Sequence, residues 1–251
     1  MAGREETMIE IRQLTQHPEF AEAVKLQKAI WGFDDIDLLP VRLFVTASKI
    51  GGHSFGAYDG GRMVGFCVGI PGIKPGAKSY LHSHMLGVMK EYRDAGLGRK
   101  LKLAQRDDAI RQGLSLIEWT FDPLEIKNAF FNIERLGAIV RRFVLNQYGT
   151  TSSPLNGGLP TDRNTAEWWL ESDRVLALLE GREMPRREVV ARISITNDIY
   201  KIKAGDFAQA REIQMRVADQ FLENFSKNLA VTGFERSAEN GTYLFSPWES
   251  K

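Results

Sequence analysis

The sequence predicts an α/β protein of the α+β kind, with one mixed sheet, helices packed on it, and a C-terminal strand-helix-hairpin extension. Three features lead there: strand-like and helix-like segments alternate through the first 145 residues, a tight Asp59-Gly60-Gly61 turn joins two apolar runs, and a strand runs through a glycine-rich turn into a helix at Val88–Gly98.

Taken in order, Ile9-Glu10-Ile11-Arg12 alternates apolar and charged side chains and reads as a first strand. Phe20, Ala23, Val24, Ile30 and Trp31 stripe a helix from His17 to Trp31 that stops at Gly32. A second helix is expected from Pro40 to Lys49, with Gly51-Gly52 beyond its end. His53–Tyr58 and Met63–Gly69 form a hairpin, because Asp-Gly supplies the positive φ angles of such turns, and a Pro71–Gly76 loop follows. Ser79–Val88 reads as a strand, Gly96–Gln112 as a helix, Leu114–Phe121 as a strand, Leu124–Leu136 as a helix, and Ala138–Leu145 as extended. The composition of Tyr148–Thr165 predicts a long loop, of a length that is uncommon without a function. Beyond it, Ala166–Leu179 reads as a helix, Glu188–Lys203 as strand-rich, and Asp206–Lys227 as a helix capped by its aspartate. Ala230–Phe234 and Thr242–Phe245 make a hairpin turning at Asn240-Gly241.

The chain has 251 residues, 43% hydrophobic and 26% charged, as expected of a folded globular protein of one or two domains. With 33 Lys and Arg against 32 Asp and Glu, no global basic field draws it to nucleic acid or an anionic membrane. Its single cysteine, Cys67, excludes an intramolecular disulfide and a multi-cysteine metal site. No apolar run reaches the roughly 18 to 20 residues of a bilayer span, and the N-terminus has no signal-peptide core, so the expected setting is cytoplasmic.

Chemistry concentrates in Leu86-Gly87-Val88-Met89-Lys90-Glu91-Tyr92-Arg93-Asp94-Ala95-Gly96-Leu97-Gly98-Arg99. A strand ends at Val88, and Arg93, Gly96 and Gly98 then stand at the mouth of a helix. Glycine there removes Cβ atoms, and the unpaired N–H groups and positive dipole end of the helix favour an anion, phosphate first. Neither a nucleotide P-loop nor the full dinucleotide fingerprint is present.

Arg93-Asp94-Ala95-Gly96-Leu97-Gly98 resembles the signature of the GNAT superfamily of acyl-CoA-dependent N-acyltransferases, and the element order from Ile9 to Leu145 matches that fold. Leu81–Val88, Phe121–Leu124 with Asn128 and Asn132, and Leu159–Arg163 are similar to a GNAT subgroup with a long C-terminal extension and no established substrate. The resemblance implies a mostly antiparallel central sheet, a catalytic core over residues 1–148 and an extension over 149–251 packed on it. It implies acetyl-CoA, or another acyl-CoA, as co-substrate, with no metal. Its pantetheine arm would pair with the backbone of Leu86, Gly87 and Val88, and its pyrophosphate with the N–H groups of Arg93, Asp94, Ala95, Gly96, Leu97, Gly98 and Arg99. Asn128 and Asn132 would donate to the arm or the leaving sulfur. Two positions depart from the common pattern: Lys90 replaces a frequent proline, and Ile133 stands where the acid tyrosine usually lies.

Within that frame His84 is the candidate base, two residues from His82 on the same strand face, and a metal pair of the two lacks a third ligand. Tyr148 either replaces the missing acid or anchors the loop. Glu125, Asn128 and Asn132 are expected on one helix face, Asp122 as its cap, and Asp162 and Arg163 as holding a substrate's ammonium and carboxylate, pairing with each other, or capping the helix at Ala166. The function expected is acetyl transfer to the amine of a small molecule, with a CoA-binding regulator without turnover and a protein N-acetyltransferase as alternatives and a homodimer as the open oligomeric question.

Overall fold

The computed structural model describes residues 9–74, 76, 79–149 and 157–248. The fold is mixed α+β, mostly antiparallel, and divides between Ile117 and Glu118 into two compact units. The boundary expected at residue 148 falls inside the second unit.

In the first unit, strands β1 (Glu10–Gln13), β2 (His53–Asp59), β3 (Arg62–Ile73) and β4 (Ser79–Val88) form an antiparallel sheet in that order. Helix α1 (His17–Trp31) starts where Glu19 accepts the Thr15 and Gln16 amides, and it ends at Gly32, φ +67°. Helix α2 (Val41–Lys49) follows a connection pinned by Gln27, whose buried amide bonds both the N–H and C=O of Leu39. On one face of the sheet Phe20, Leu26, Phe44 and Phe66 form the core beneath α1 and α2; on the other, Phe55, Val64, Cys67 and Leu101 pack beneath α3 (Leu97–Arg111). Strands β2 and β3 are therefore buried on both faces and read as continuous apolar runs. Strand β3 extends to Ile73, through the segment expected as a loop, because β4 pairs with it out to Ile73–Ser79.

Strand β5 (Leu116–Phe121) crosses the division. In the second unit the order is β5-β7-β6-β9-β10-β8, with β6 (Ile139–Val144), β7 (Arg163–Trp169), β8 (Ala191–Thr196), β9 (Leu229–Arg236) and β10 (Asn240–Pro247). Helix α5 (Asp173–Leu179), short helix α6 (Ile199–Gly205) and long helix α7 (Phe207–Ser226) complete it; Asp206 caps α7 by accepting the Gln209 amide at 2.9 Å. Phe221 of α7 meets Phe143, Tyr243 and Phe245 in an aromatic core.

Four expectations are corrected here. The helix expected to begin at Ala166 is strand β7 followed by α5; with both faces of β7 buried, including Asn164, Thr165 and Glu167, it shows no clean alternation. Glu188–Lys203 contains one strand and then α6. The last hairpin turns at Ser237–Glu239, where the Ser237 hydroxyl accepts the Glu239 and Asn240 amides, so Asn240-Gly241 begins β10. Finally, Leu124–Leu136 is not one regular helix: α4 (Ile126–Phe130) passes into a π turn, Phe131–Arg135, closed by Gly137 at φ +78°. Arg174 of α5 satisfies that end, donating to the carbonyls of Ile133 and Gly137 at 3.0 Å each. The middle of the long loop expected after Tyr148, residues 150–156, lies outside the described residues.

Candidate functional site

The first unit carries the strand-turn-helix segment. After Val88 the Met89 amide returns to the Val64 carbonyl (2.9 Å), and a single 3-10 turn over Lys90–Tyr92 is held by the Tyr92 hydroxyl donating to Asp59 Oδ2 (2.6 Å). Arg93 folds back and donates its Nε–H to the Val88 carbonyl at 3.1 Å, closing the turn onto the strand it left. Asp94 (φ +63°) and Gly96 (φ +75°) both take the left-handed conformation, which turns the chain into the 15-residue α3. No side chain caps α3, so the amides at its head are available to a ligand, while Leu97, 4% exposed, anchors the helix start in the core. Arg93–Gly96 are exposed, and Gly98 and Arg99 are half-buried beside them.

Strand β4 brings the second element to the same segment. Its pairing with β3 runs Cys67–Leu86, Val68–Met85, then Gly69–Ser83, which leaves His84 as an extra residue. A bulge of this kind breaks the ladder locally and re-aims side chains. His84 and His82 keep to one face, their rings 5.8 Å apart. Burial holds His84 below the ordinary histidine value, so it is neutral and able to accept a proton near pH 7. Leu86, Gly87 and Val88 are bonded to β3 along one edge. At Gly87 a Cβ would lie 2.6 Å from the Trp31 ring, so only glycine lets α1 approach β4 this closely.

The other expected residues lie in the second unit. Tyr148 is exposed, with its hydroxyl 2.9 Å from Thr120 Oγ1 and its ring under the Arg163 guanidinium at 5.7 Å. Asn146, Tyr148 and Gly149 are zipped to Thr161 and Asp162: Thr161 Oγ1 accepts the Tyr148 amide and donates to the Gly149 carbonyl, each at 2.9 Å, and Asp162 Oδ1 accepts the Asn146 amide at 2.9 Å. Asp162 is buried with its other carboxylate oxygen unpartnered, and burial raises its value above the usual carboxylate range. Arg163 donates to the Asp162 carbonyl rather than to its carboxylate. Glu125, Asn128 and Asn132 do not share one face: Asn128 is exposed, while the π turn carries Asn132 inward to 1% exposure, its side-chain N–H donors unpartnered. Asp122 accepts the Leu124 amide at 2.8 Å and caps the turn before α4, not the helix, whose N-cap is Glu125.

Sequence reasoning missed three buried polar groupings. Lys203 of α6 lies 3.1 Å from Asp122 and 3.2 Å from Glu125; burial pulls its ammonium down, and the two carboxylates outweigh that and hold it above the ordinary lysine value. In the first unit His53 Nδ1 meets Asp108 Oδ2 at 2.6 Å, and Lys102 reaches Ser83 Oγ at 2.7 Å. The third-residue spacing of Lys102, Gln105 and Asp108 on α3 was the available signal for the first-unit groups. Lys203 had none, since its partners are some eighty residues away in sequence.

Replacing Lys203 by methionine leaves two carboxylates facing each other in a partly dry site. Removing one partner of a buried pair costs about 3–5 kcal/mol, and because the Glu125 side chain is 33% exposed the lower end applies. Chemical denaturation should therefore show a loss of about 3 kcal/mol, partly restored by adding Glu125→Gln, which leaves Asp122 as the one carboxylate of the pair still charged. Glu125 is itself raised by burial, so the penalty should shrink as pH falls through its raised value and grow above it. A loss below about 0.5 kcal/mol would mean the pair is solvated.

Among the described residues no cluster of three His, Cys, Asp or Glu side chains is arranged to hold a metal ion, and no helix is long and apolar enough to cross a membrane. Residues 13–137 match the acetyltransferase (GNAT) family. Among solved structures the chain is similar to yncA of Salmonella typhimurium, assigned as an acetyltransferase and solved with its cofactor acetyl-CoA: 16% identity, TM-score 0.53, 65% of this chain and 95% of that one. It is also similar to the ribosomal-protein-S18-alanine N-acetyltransferase of Escherichia coli: 16% identity, TM-score 0.51, 66% of this chain and 96% of that one. Similarity at this level speaks to the fold. The search of curated proteins found no match.

Proposed function

Because the chain belongs to the GNAT acetyltransferase family, we propose that it transfers an acetyl group from acetyl-CoA directly to the amine of a small molecule. The observation that carries the reading is the junction of β4 and α3: uncapped helix amides, a left-handed glycine and a closed arginine turn stand within nine residues of the end of a strand that bulges at a neutral histidine.

The residues present fit the two ends of the cofactor. The head of α3, from Arg93 to Arg99, offers backbone N–H groups to a pyrophosphate, and the Arg93 bond to Val88 keeps that turn from relaxing when the site is empty. The backbone of Leu86 to Val88 is the proposed track of the pantetheine amides. Bound acetyl-CoA supplies the activated thioester. His84 takes the proton from the attacking nitrogen at its neutral ring, and the bulge, where β4 leaves its register with β3, sets the direction in which that ring is presented. Positioning alone can contribute roughly 7–11 kcal/mol to such a transfer, which is why buried Ile133, in the place of an acid tyrosine, is compatible with catalysis. The core is assigned to residues 1–148 and the extension to 149–251. The proposed setting is cytoplasmic.

Ile133 also motivates a second reading, a CoA-binding regulator without turnover. Isothermal titration with CoA tests what both share. One molecule bound per chain is expected; no heat at any concentration removes both.

A further inference from the structure

The buried face of α3 is polar where it need not be. Lys102, Gln105 and Asp108 lie over one transverse row of the sheet, in which His53 of β2 pairs with Gly69 of β3 and Gly69 pairs with Ser83 of β4. Asp108 holds His53 at 2.6 Å; Lys102 Nζ donates to Ser83 Oγ at 2.7 Å, and Ser83 donates to Gln105 Oε1 at 2.8 Å. Ser83 and Lys102 are each 3% exposed, and His53 and Gln105 are fully buried. Apolar packing in such a seam is commonly as stable or more so, and what a polar network adds is a unique register. Register matters at this row because Ser83 is the last residue of β4 paired with β3 before the bulge at His84. Lys102 also stands one helical turn beyond Gly98 on the helix whose head forms the anion turn.

We propose that Lys102 is a positioning residue for acyl transfer: through Ser83 it locks the β4 bulge to α3, and so holds His84 in register with the anion-binding turn at the head of the same helix. The proposal rests on His84 as the base and on that turn as the cofactor site. Burial pulls the Lys102 ammonium down to about 7, so near neutral pH it donates to Ser83 as ammonium or as amine, and the contact does not depend on the charge.

The test is steady-state turnover of Lys102→Met, Ser83→Ala and His84→Gln, read as thiol release from acetyl-CoA with whichever amine of a small panel the wild type acetylates fastest, alongside melting temperature and calorimetric CoA binding. Lys102→Met should keep or raise the melting temperature, leave CoA affinity within about twofold, and lower kcat by at least about tenfold. Ser83→Ala should lower kcat in the same direction, and Ser83→Thr, which retains the hydroxyl, should restore it. A merely structural lysine predicts the reverse, a lower melting temperature with kcat unchanged. If His84→Gln loses activity while Lys102→Met and Ser83→Ala retain it, the positioning role is wrong and the base assignment stands. If His84→Gln also retains activity, the base assignment fails and takes this proposal with it.

Discussion

Substitution of His84 by glutamine is expected to lower kcat by about 100- to 1,000-fold while leaving CoA affinity within about twofold, the range for losing one positioned general base. Glutamine keeps the approximate size and polarity of the ring, so the bulge in β4 should survive and the effect should be chemical. The titration of His84 itself gives a sign that can be checked without an acceptor. Burial lowers its folded value below 6.5, whereas unfolding returns it to about 6.5, so the unfolded chain binds more protons between the two values. Stability contributed by this group is therefore full above pH 6.5 and declines as pH falls through the folded value, and the catalytically competent neutral form persists to the same point. An NMR titration placing the His84 ring at or above 6.5 would contradict both statements.

The second large effect concerns the anion turn. Gly98→Asp places a carboxylate in the first turn of α3, against the N–H groups that would receive the pyrophosphate. A carboxylate there suits the helix dipole and should leave folding intact or slightly improved. It competes directly with the ligand for the same amides and repels it, so CoA binding should weaken by about 100-fold, roughly the 2.7 kcal/mol of one or two charge-assisted hydrogen bonds. Calorimetry is the measurement. An affinity within about threefold of wild type, in a protein with an unchanged melting temperature, would move the pyrophosphate elsewhere.

The segments that were legible in sequence are those whose signal is local. His17–Trp31, Ser79–Val88 and the Asp206-capped helix were readable because stripe, alternation and cap all lie within a few residues of one another. The Arg93–Gly98 turn was readable because a need for glycine at a helix mouth is local; the left-handed φ of Gly96 is seen only in the structure. Strand β7 was not, because it lies between β5 and β6 with both faces covered, so its polar Asn164, Thr165 and Glu167 are buried, and Glu167 is held by Arg141 from a strand distant in sequence. The inward turn of Asn132 was hidden for a related reason: a π turn depends on the Gly137 end and on Arg174 from another helix, not on the residues it displaces. Of the site, the anion turn and His84 could be found from spacing and chemistry, whereas the bulge that singles out His84 exists only in the register of β3 against β4.

Acetyl transfer to an amine is the central claim, and mass spectrometry of a mixed small-amine panel incubated with wild-type protein and acetyl-CoA tests it most directly. The expected result is one or a few amines gaining an acetyl group with stoichiometric release of CoA, and loss of that product with His84→Gln. Tight CoA binding with every amine left unmodified would contradict it and leave a CoA-binding protein without turnover.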